Sequence, residues 1–167
     1  PTSKDARLGL AFSLYQTGNT ERAKKIYREL LDEHPNDLQA INNLAWILQE
    51  HDQRYPAALE LVNRGLNFAS NDKDRLHLLD TRGMILVNMD QLANARKDFE
   101  RLVALSPLGT RQQAKAFLQL GRICAKLNNS VQAKYHLNKA LEIDQKIKVF
   151  TPEERSEITR IIQNKGL

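Results

Sequence analysis

The chain has 167 residues, of which 41% are apolar, 27% are charged and only 6% are aromatic, with 7 Gly and 5 Pro. This balance favours long helices over a turn-rich sheet protein. No stretch approaches the roughly 20 consecutive apolar residues that a membrane-spanning helix needs, so membrane insertion is not expected. The single cysteine, Cys124, excludes an internal disulfide and any multi-cysteine zinc site.

The net charge of +5 is unevenly placed along the chain. Residues 1–75 carry 10 Lys/Arg against 11 Asp/Glu, whereas residues 76–167 carry 15 against 9. The excess positive charge in the second half bears on partners and on electrostatic steering, not on the fold.

Small residues recur at a fixed spacing, in steps of 34, 38 and 38, at Ala11, Ala45, Gly83 and Gly121. Each is followed 12 or 13 positions later by an alanine, at Ala23, Ala58, Ala95 and Ala133, with turn-forming residues between the two at 18–20, 51–53, 89–91 and 128–130. Two helices cross closely only where a side chain is small. The pattern therefore predicts a series of helical hairpins, each of which buries its apolar face by stacking on its neighbours.

Larger apolar residues follow four positions after each alanine, at Tyr27, Val62, Phe99 and Leu137, and two of the units close with Pro35 and Pro107. This template resembles the tetratricopeptide repeat, and the Asn-Asn-Leu-Ala-Trp-Ile-Leu run at 42–48 is similar to repeats of bacterial type. The resemblance implies an all-α fold, a right-handed superhelical solenoid in a single domain over residues 1–167. It places four helix–turn–helix repeats at 4–37, 38–72, 76–109 and 114–147, separated by short inserts at 73–75 and 110–113.

The C-terminal segment has its own helix signature. Thr151 is a candidate N-cap, with Pro152 at the first helical position and Glu154 three residues after the cap. An apolar stripe of three isoleucines, at 158, 161 and 162, follows. These features predict a capping helix over 152–163. No equivalent polar cap precedes the first repeat, so we expect that end to be exposed, which suits further repeats upstream or self-assembly into a homo-oligomer.

The resemblance implies that the first helix of each repeat lines a concave groove that takes a partner. In this register the groove positions include Phe12, Tyr15, Asn42, Asn43, Trp46, Gln49, His77, Asp80, Met84, Lys115, Arg122 and Lys126. Phe12, Trp46 and Met84 occupy equivalent positions and predict an apolar row that binds a peptide or helix of another protein. The alternative is that neighbouring side chains cover the row, or that Trp46 packs between two repeats.

A basic stripe lies in the fourth repeat, where Arg111, Lys115, Arg122 and Lys126 are spaced 4, 7 and 4 residues apart on one side of a helix. It suits an acidic peptide or an anionic polymer such as an acidic polysaccharide, and the alternative is an ordinary solvated face. Aromatic residues are not interleaved with the stripe, so nucleic acid is a less favoured partner.

Residues with catalytic spacing are missing from the sequence. There is no phosphate loop, dinucleotide fingerprint or metalloprotease helix, and none of the four histidines has a partner at metal-ligand spacing. Cys124 occupies a core position and is expected to be inert. The sequence therefore predicts a non-catalytic interaction module without metal or cofactor, and it leaves the compartment open between cytoplasm and bacterial periplasm.

Overall fold

A computed structural model describes residues 3–163, and every regular element in that range is an α-helix. The all-α class predicted from the sequence is confirmed for this part of the chain. The helices are α1 (Lys4–Gln16), α2 (Thr20–Glu33), α3 (Leu38–Glu50), α4 (Tyr55–Phe68), α5 (Asp72–Asn88), α6 (Leu92–Leu105), α7 (Arg111–Lys126), α8 (Ser130–Ile147) and α9 (Pro152–Gln163). None of them is long and apolar enough to cross a membrane.

The chain divides into two compact units, Pro1–Met89 and Asp90–Leu167. The first unit contains α1 to α5 and the second contains α6 to α9. The division falls between α5 and α6, the two helices of the predicted third repeat, and the single domain over residues 1–167 stays a prediction.

Each helical hairpin turns on one residue with positive φ. These residues are Gly18 (81°), Gln53 (52°), Asp90 (57°) and Asn128 (56°), and all four lie within the turn segments predicted from the sequence. Only glycine adopts this left-handed conformation without steric cost, and Asn and Asp tolerate it better than most residues. Gln53, Asp90 and Asn128 adopt this conformation although they are not glycines, so the packing of the hairpin determines the turn.

The first helix of each hairpin begins with a side-chain N-cap. Ser3, Asp37, Asn71 and Thr110 accept a hydrogen bond from the backbone N–H three residues later, at the starts of α1, α3, α5 and α7. The residues 73–75, expected as an insert, therefore lie inside α5, and residues 111–113 form the first turn of α7. The reason is that Asn71 and Thr110 start these helices earlier than the repeat period suggests.

The core of each unit forms where the template residues meet. In the first unit Ala11, Ala23, Ala45 and Ala58 are fully buried. In the second unit Gly121 lies so close to α8 that a methyl group there would collide with the side chain of Leu137. The expectation that small residues mark close helix crossings is thus confirmed at these positions.

Helix α9 packs against α7 and α8 through its predicted isoleucine stripe. Ile158 is fully buried in a cluster that includes Ala114, Leu118 and Leu137, and Ile161 and Ile162 pack against that cluster. The predicted capping box is present. The Thr151 N–H donates to Glu154 Oε2 at 2.9 Å, and the Glu154 N–H donates to Thr151 Oγ1 at 3.2 Å.

Candidate functional site

In the first unit, α1, α3 and α5 are joined side by side by hydrogen bonds between their side chains. The bonds run from Trp46 Nε1 to Tyr15 OH (3.1 Å), from Thr81 Oγ1 to Asn42 Oδ1 (2.8 Å) and from Asn88 Nδ2 to Gln49 Oε1 (3.3 Å). These side-chain hydrogen bonds, called struts below, connect the first helices of successive hairpins. We call the surface shared by these three helices, which carries Phe12, Trp46 and Met84, the odd-helix face.

The three apolar residues of this face differ in accessibility. Phe12 is 51% exposed, whereas Trp46 and Met84 are half-buried. The indole N–H of Trp46 donates to the Tyr15 hydroxyl, and the Tyr15 ring meets His51 edge-on at 5.5 Å. Trp46 therefore links α1 to α3, as the alternative interpretation of the sequence expects, while part of its indole stays accessible.

A cleft of about 400 Å³ lies between α3 and α5 on the same unit. Its wall mixes polar and apolar surface and is formed by Leu38, Gln39, Asn42, Asn43, Lys73, Asp74, His77 and Leu78. Asn43 is oriented by its amide, which donates to the Tyr27 hydroxyl at 3.0 Å. Amide side chains both donate and accept hydrogen bonds, so this part of the wall can pair with polar groups of a ligand.

Two features of the α3–α5 cleft were missed from the sequence. Lys73 and Asp74 line it, although the sequence places them in an insert between repeats. The available signal was Asn71 followed by Asp74, since Asn is a preferred N-cap and an acidic residue in the first turn is stabilising. In the structure Asp74 N–H donates to Asn71 Oδ1 at 3.0 Å.

Gln49, which the sequence predicts as a groove residue, is buried in the structure. Its side chain is 1% exposed, and its Oε1 accepts the hydrogen bond from Asn88. Gln49 therefore acts as a strut between α3 and α5 and is not available to a partner. Of the other predicted positions on this unit, His77 is exposed and Asp80 is half-buried.

The basic stripe of the second unit is partly neutralised within the protein. Arg122 binds Glu157 of α9 through two bonds, from Nε to Oε1 at 2.9 Å and from Nη2 to Oε2 at 2.6 Å. The Arg122 guanidinium lowers the pKa of the Glu157 carboxyl. Arg111 Nη1 lies 3.5 Å from the Val149 carbonyl oxygen. Lys115 and Lys126 remain exposed, so the four cations of the stripe differ in their availability to a partner.

Side chains with reactive chemistry are scattered across the described residues. Within 3–163 no group of three His, Cys, Asp or Glu is placed to hold a metal ion. Cys124 is buried, and burial raises the pKa of its thiol, which disfavours the nucleophilic thiolate. His136 stacks on Phe117, and burial lowers the pKa of its imidazole.

Paired helices with small residues at their crossings, capped hairpins and a side-by-side row of first helices define a helical-repeat protein. Models of the tetratricopeptide repeat match residues 5–37, 76–107 and 114–147. The chain belongs to the tetratricopeptide-repeat family, whose members generally act as protein-interaction scaffolds and generally lack catalytic activity.

Solved structures share this fold at low sequence identity. PilF of Pseudomonas aeruginosa superimposes with a TM-score of 0.79 at 23% identity, over 95% of this chain and 67% of that one. PilW, described as a widely conserved type IV pilus biogenesis factor, gives a TM-score of 0.79 at 18% identity, over 96% and 70%. At these identities the likeness establishes the fold alone.

Curated relatives match only a small part of their own length. The mouse protein O-mannosyl-transferase TMTC1 is 30% identical over 146 residues, which make up 86% of this chain and 15% of that protein. The human TMTC1 is 25% identical over 144 residues, or 86% of this chain and 16% of that protein. The chain thus spans less than one fifth of these transferases.

Proposed function

We propose that this chain is a non-catalytic scaffold that binds a peptide or helix of a partner protein on the odd-helix face of its first unit. The observation that carries the proposal is the α3–α5 cleft, whose wall combines amide side chains and His77 with the apolar side chains of Leu38 and Leu78. Polar groups fix the register of a bound chain, and apolar side chains supply most of its binding energy.

The hydrogen-bonded struts support the same proposal. Because Tyr15–Trp46, Asn42–Thr81 and Gln49–Asn88 already tie the helices together, the face is formed before a partner arrives. A preformed surface loses less conformational entropy on binding. Phe12 is the exposed end of the face and the residue most accessible to an apolar anchor of the partner.

Two phenylalanines of matched exposure provide the test. Phe12 is 51% exposed on α1, and Phe68 is 50% exposed at the end of α4. We expect Phe12→Ser to abolish retention of the partner in a pull-down from the source lysate, and Phe68→Ser to leave it unchanged. Loss of an apolar anchor costs about 2 kcal/mol, or roughly a 30-fold weaker affinity.

Both variants should fold, because serine at a half-exposed site alters stability by about 1 kcal/mol or less. Circular dichroism checks this. His77→Ala serves as a second variant in the α3–α5 cleft and should also weaken retention. If Phe12→Ser and His77→Ala both retain the same proteins as the wild type, binding occurs elsewhere and the proposal fails.

Recognition of an anionic polymer by the second unit is less well supported, because the Arg122 guanidinium is already paired with the Glu157 carboxylate. Self-assembly is favoured by one observation, since Leu10 and Phe12 on α1 are both 51% exposed. A mass that rises with concentration, and falls back in a Leu10→Lys variant, is the result expected of a homo-oligomer formed through α1.

A further inference from the structure

A second cleft, of about 320 Å³, lies between α2 and α4 of the first unit and has α3 as its floor. It is lined by apolar side chains at the bottom and by arginines at the edge. Leu44 and Leu48 of α3 are each 4% exposed, and Leu61 of α4 is half-buried beside them. Arg28, Arg54 and Arg64 surround this apolar floor, together with Glu60.

This arginine-rimmed cleft faces away from the odd-helix face. Leu44 and Leu48 each lie two residues from Trp46, which places them roughly 160° around α3 from the indole. The two surfaces therefore lie on opposite sides of the same helix. A ligand in one leaves the other accessible.

Several other cations of the first unit are held in ion pairs. Arg7 binds Glu33 at 2.7 Å, and Lys24 binds Asp52 at 2.7 Å and Glu21 at 2.6 Å. By contrast, all three rim arginines are exposed, and none of them forms an ion pair with any residue in the range 3–163. Three guanidinium groups against one carboxylate leave a net positive rim around an apolar floor.

We propose that this cleft binds an acidic segment of a partner protein, in which Asp or Glu residues flank an apolar side chain. The floor excludes water from that side chain, and each guanidinium offers a planar pair of donors that matches a carboxylate. The volume is at the low end of ligand pockets, roughly 300–1,000 Å³, and suits one or two apolar side chains. A simple anion would use the rim and leave the floor unoccupied.

The test selects peptides that depend on the rim. A random 12-residue phage-display library is first depleted on the Arg28→Glu/Arg64→Glu variant and then captured on the wild type. A parallel selection depletes the library on Arg22→Glu/Arg101→Glu, which carries the same change in charge on two exposed arginines that do not line the cleft. Enriched peptides are synthesised and titrated by fluorescence anisotropy.

We expect the first selection to enrich peptides with Leu, Ile, Phe or Met between acidic residues. Their affinity should fall about tenfold in Arg28→Glu and stay within about twofold in Arg22→Glu. Replacing the central apolar residue of the peptide by serine should weaken binding by a similar factor. Phe12→Ser should have no effect, which separates this cleft from the odd-helix face.

Three results would overturn the proposal. One is the absence of any peptide that survives depletion on the cleft variant. Another is an enriched peptide that binds Arg28→Glu as tightly as it binds the wild type. The third is binding that ignores the apolar residue and is displaced by inorganic phosphate, which would make the rim an anion site only. Circular dichroism confirms that each variant remains helical.

Discussion

Replacing Asp144 by asparagine tests how the second unit holds its last helix. The side chain of Asp144 is 5% exposed, and its carboxylate accepts three hydrogen bonds. Arg155 of α9 donates from Nε at 2.6 Å and from Nη2 at 3.2 Å, and the Phe150 N–H donates at 2.8 Å. Asp144 therefore fixes both the loop that precedes α9 and the first turns of α9 itself.

The size of the effect follows from the pKa of Asp144. The hydrogen bonds from Arg155, the largest cause, lower it from 3.8 to about 2. This difference corresponds to about 2.4 kcal/mol of stability that depends on the charge. Because the side chain of Arg155 is 39% exposed, water screens its charge, and we expect Asp144→Asn to lower the free energy of unfolding by about 1–2 kcal/mol.

The pH dependence has a definite sign. A carboxyl whose pKa is lower in the folded state stabilises the protein above the unfolded value of 3.8, and this contribution disappears as the pH falls towards 2. The wild type and Asp144→Asn should therefore differ near neutral pH and converge towards about pH 2. Urea denaturation followed by circular dichroism measures the difference, and hydrogen exchange of the α9 amides locates it.

Glu142 is the matched control on the same helix. Its carboxylate pairs with Lys139 at 2.9 Å but is 59% exposed, so Glu142→Gln should change stability by less than about 0.5 kcal/mol. If Asp144→Asn is no more destabilising than Glu142→Gln, or if its effect is the same at both ends of the pH range, the assignment of Asp144 as the anchor of α9 is wrong.

Two further predictions follow from glycines and from the basic stripe. Gly121→Ala should lower the free energy of unfolding by about 1–3 kcal/mol because the methyl group collides with Leu137, whereas Gly9→Ala, with nothing within 4 Å, should raise it by about 0.5–1 kcal/mol. Thermal denaturation distinguishes them, and equal changes would contradict the packing argument. Glu157→Gln should release Arg122 and strengthen retention on an anionic-polymer column. Unchanged retention would show that Arg122 does not face such a ligand.

The fold was largely predictable because its determinants are local. Ala11 and Ala23 are spaced by one hairpin, and the small side chain is required wherever two helices cross. The capping box at Thr151 and Glu154 depends on residues three positions apart. The first residues of α5 and α7 were harder to predict from the sequence. Asn71 and Thr110 cap these helices several residues before the positions at which the repeat period places their starts.

The candidate site was less predictable because exposure depends on contacts between helices. Gln49 and Trp46 belong to the same face by periodicity, yet Gln49 is buried as a strut and Trp46 is partly accessible. Arg122 was expected to point at a partner, but its charge is satisfied by Glu157, which is 35 residues later in the chain. Such pairings over long sequence distances leave no periodic signal.

The hydrogen bond between Trp46 and Tyr15 also gives the protein an intrinsic optical probe. Trp46 is the only tryptophan in the sequence, and its indole N–H lies against a tyrosine hydroxyl at 3.1 Å. Its emission wavelength depends on the polarity of its surroundings, and the adjacent tyrosine transfers excitation to it. A chain that docks beside Trp46 would displace water from the half-buried ring and shift its emission to the blue, so titrations at this face need no attached dye.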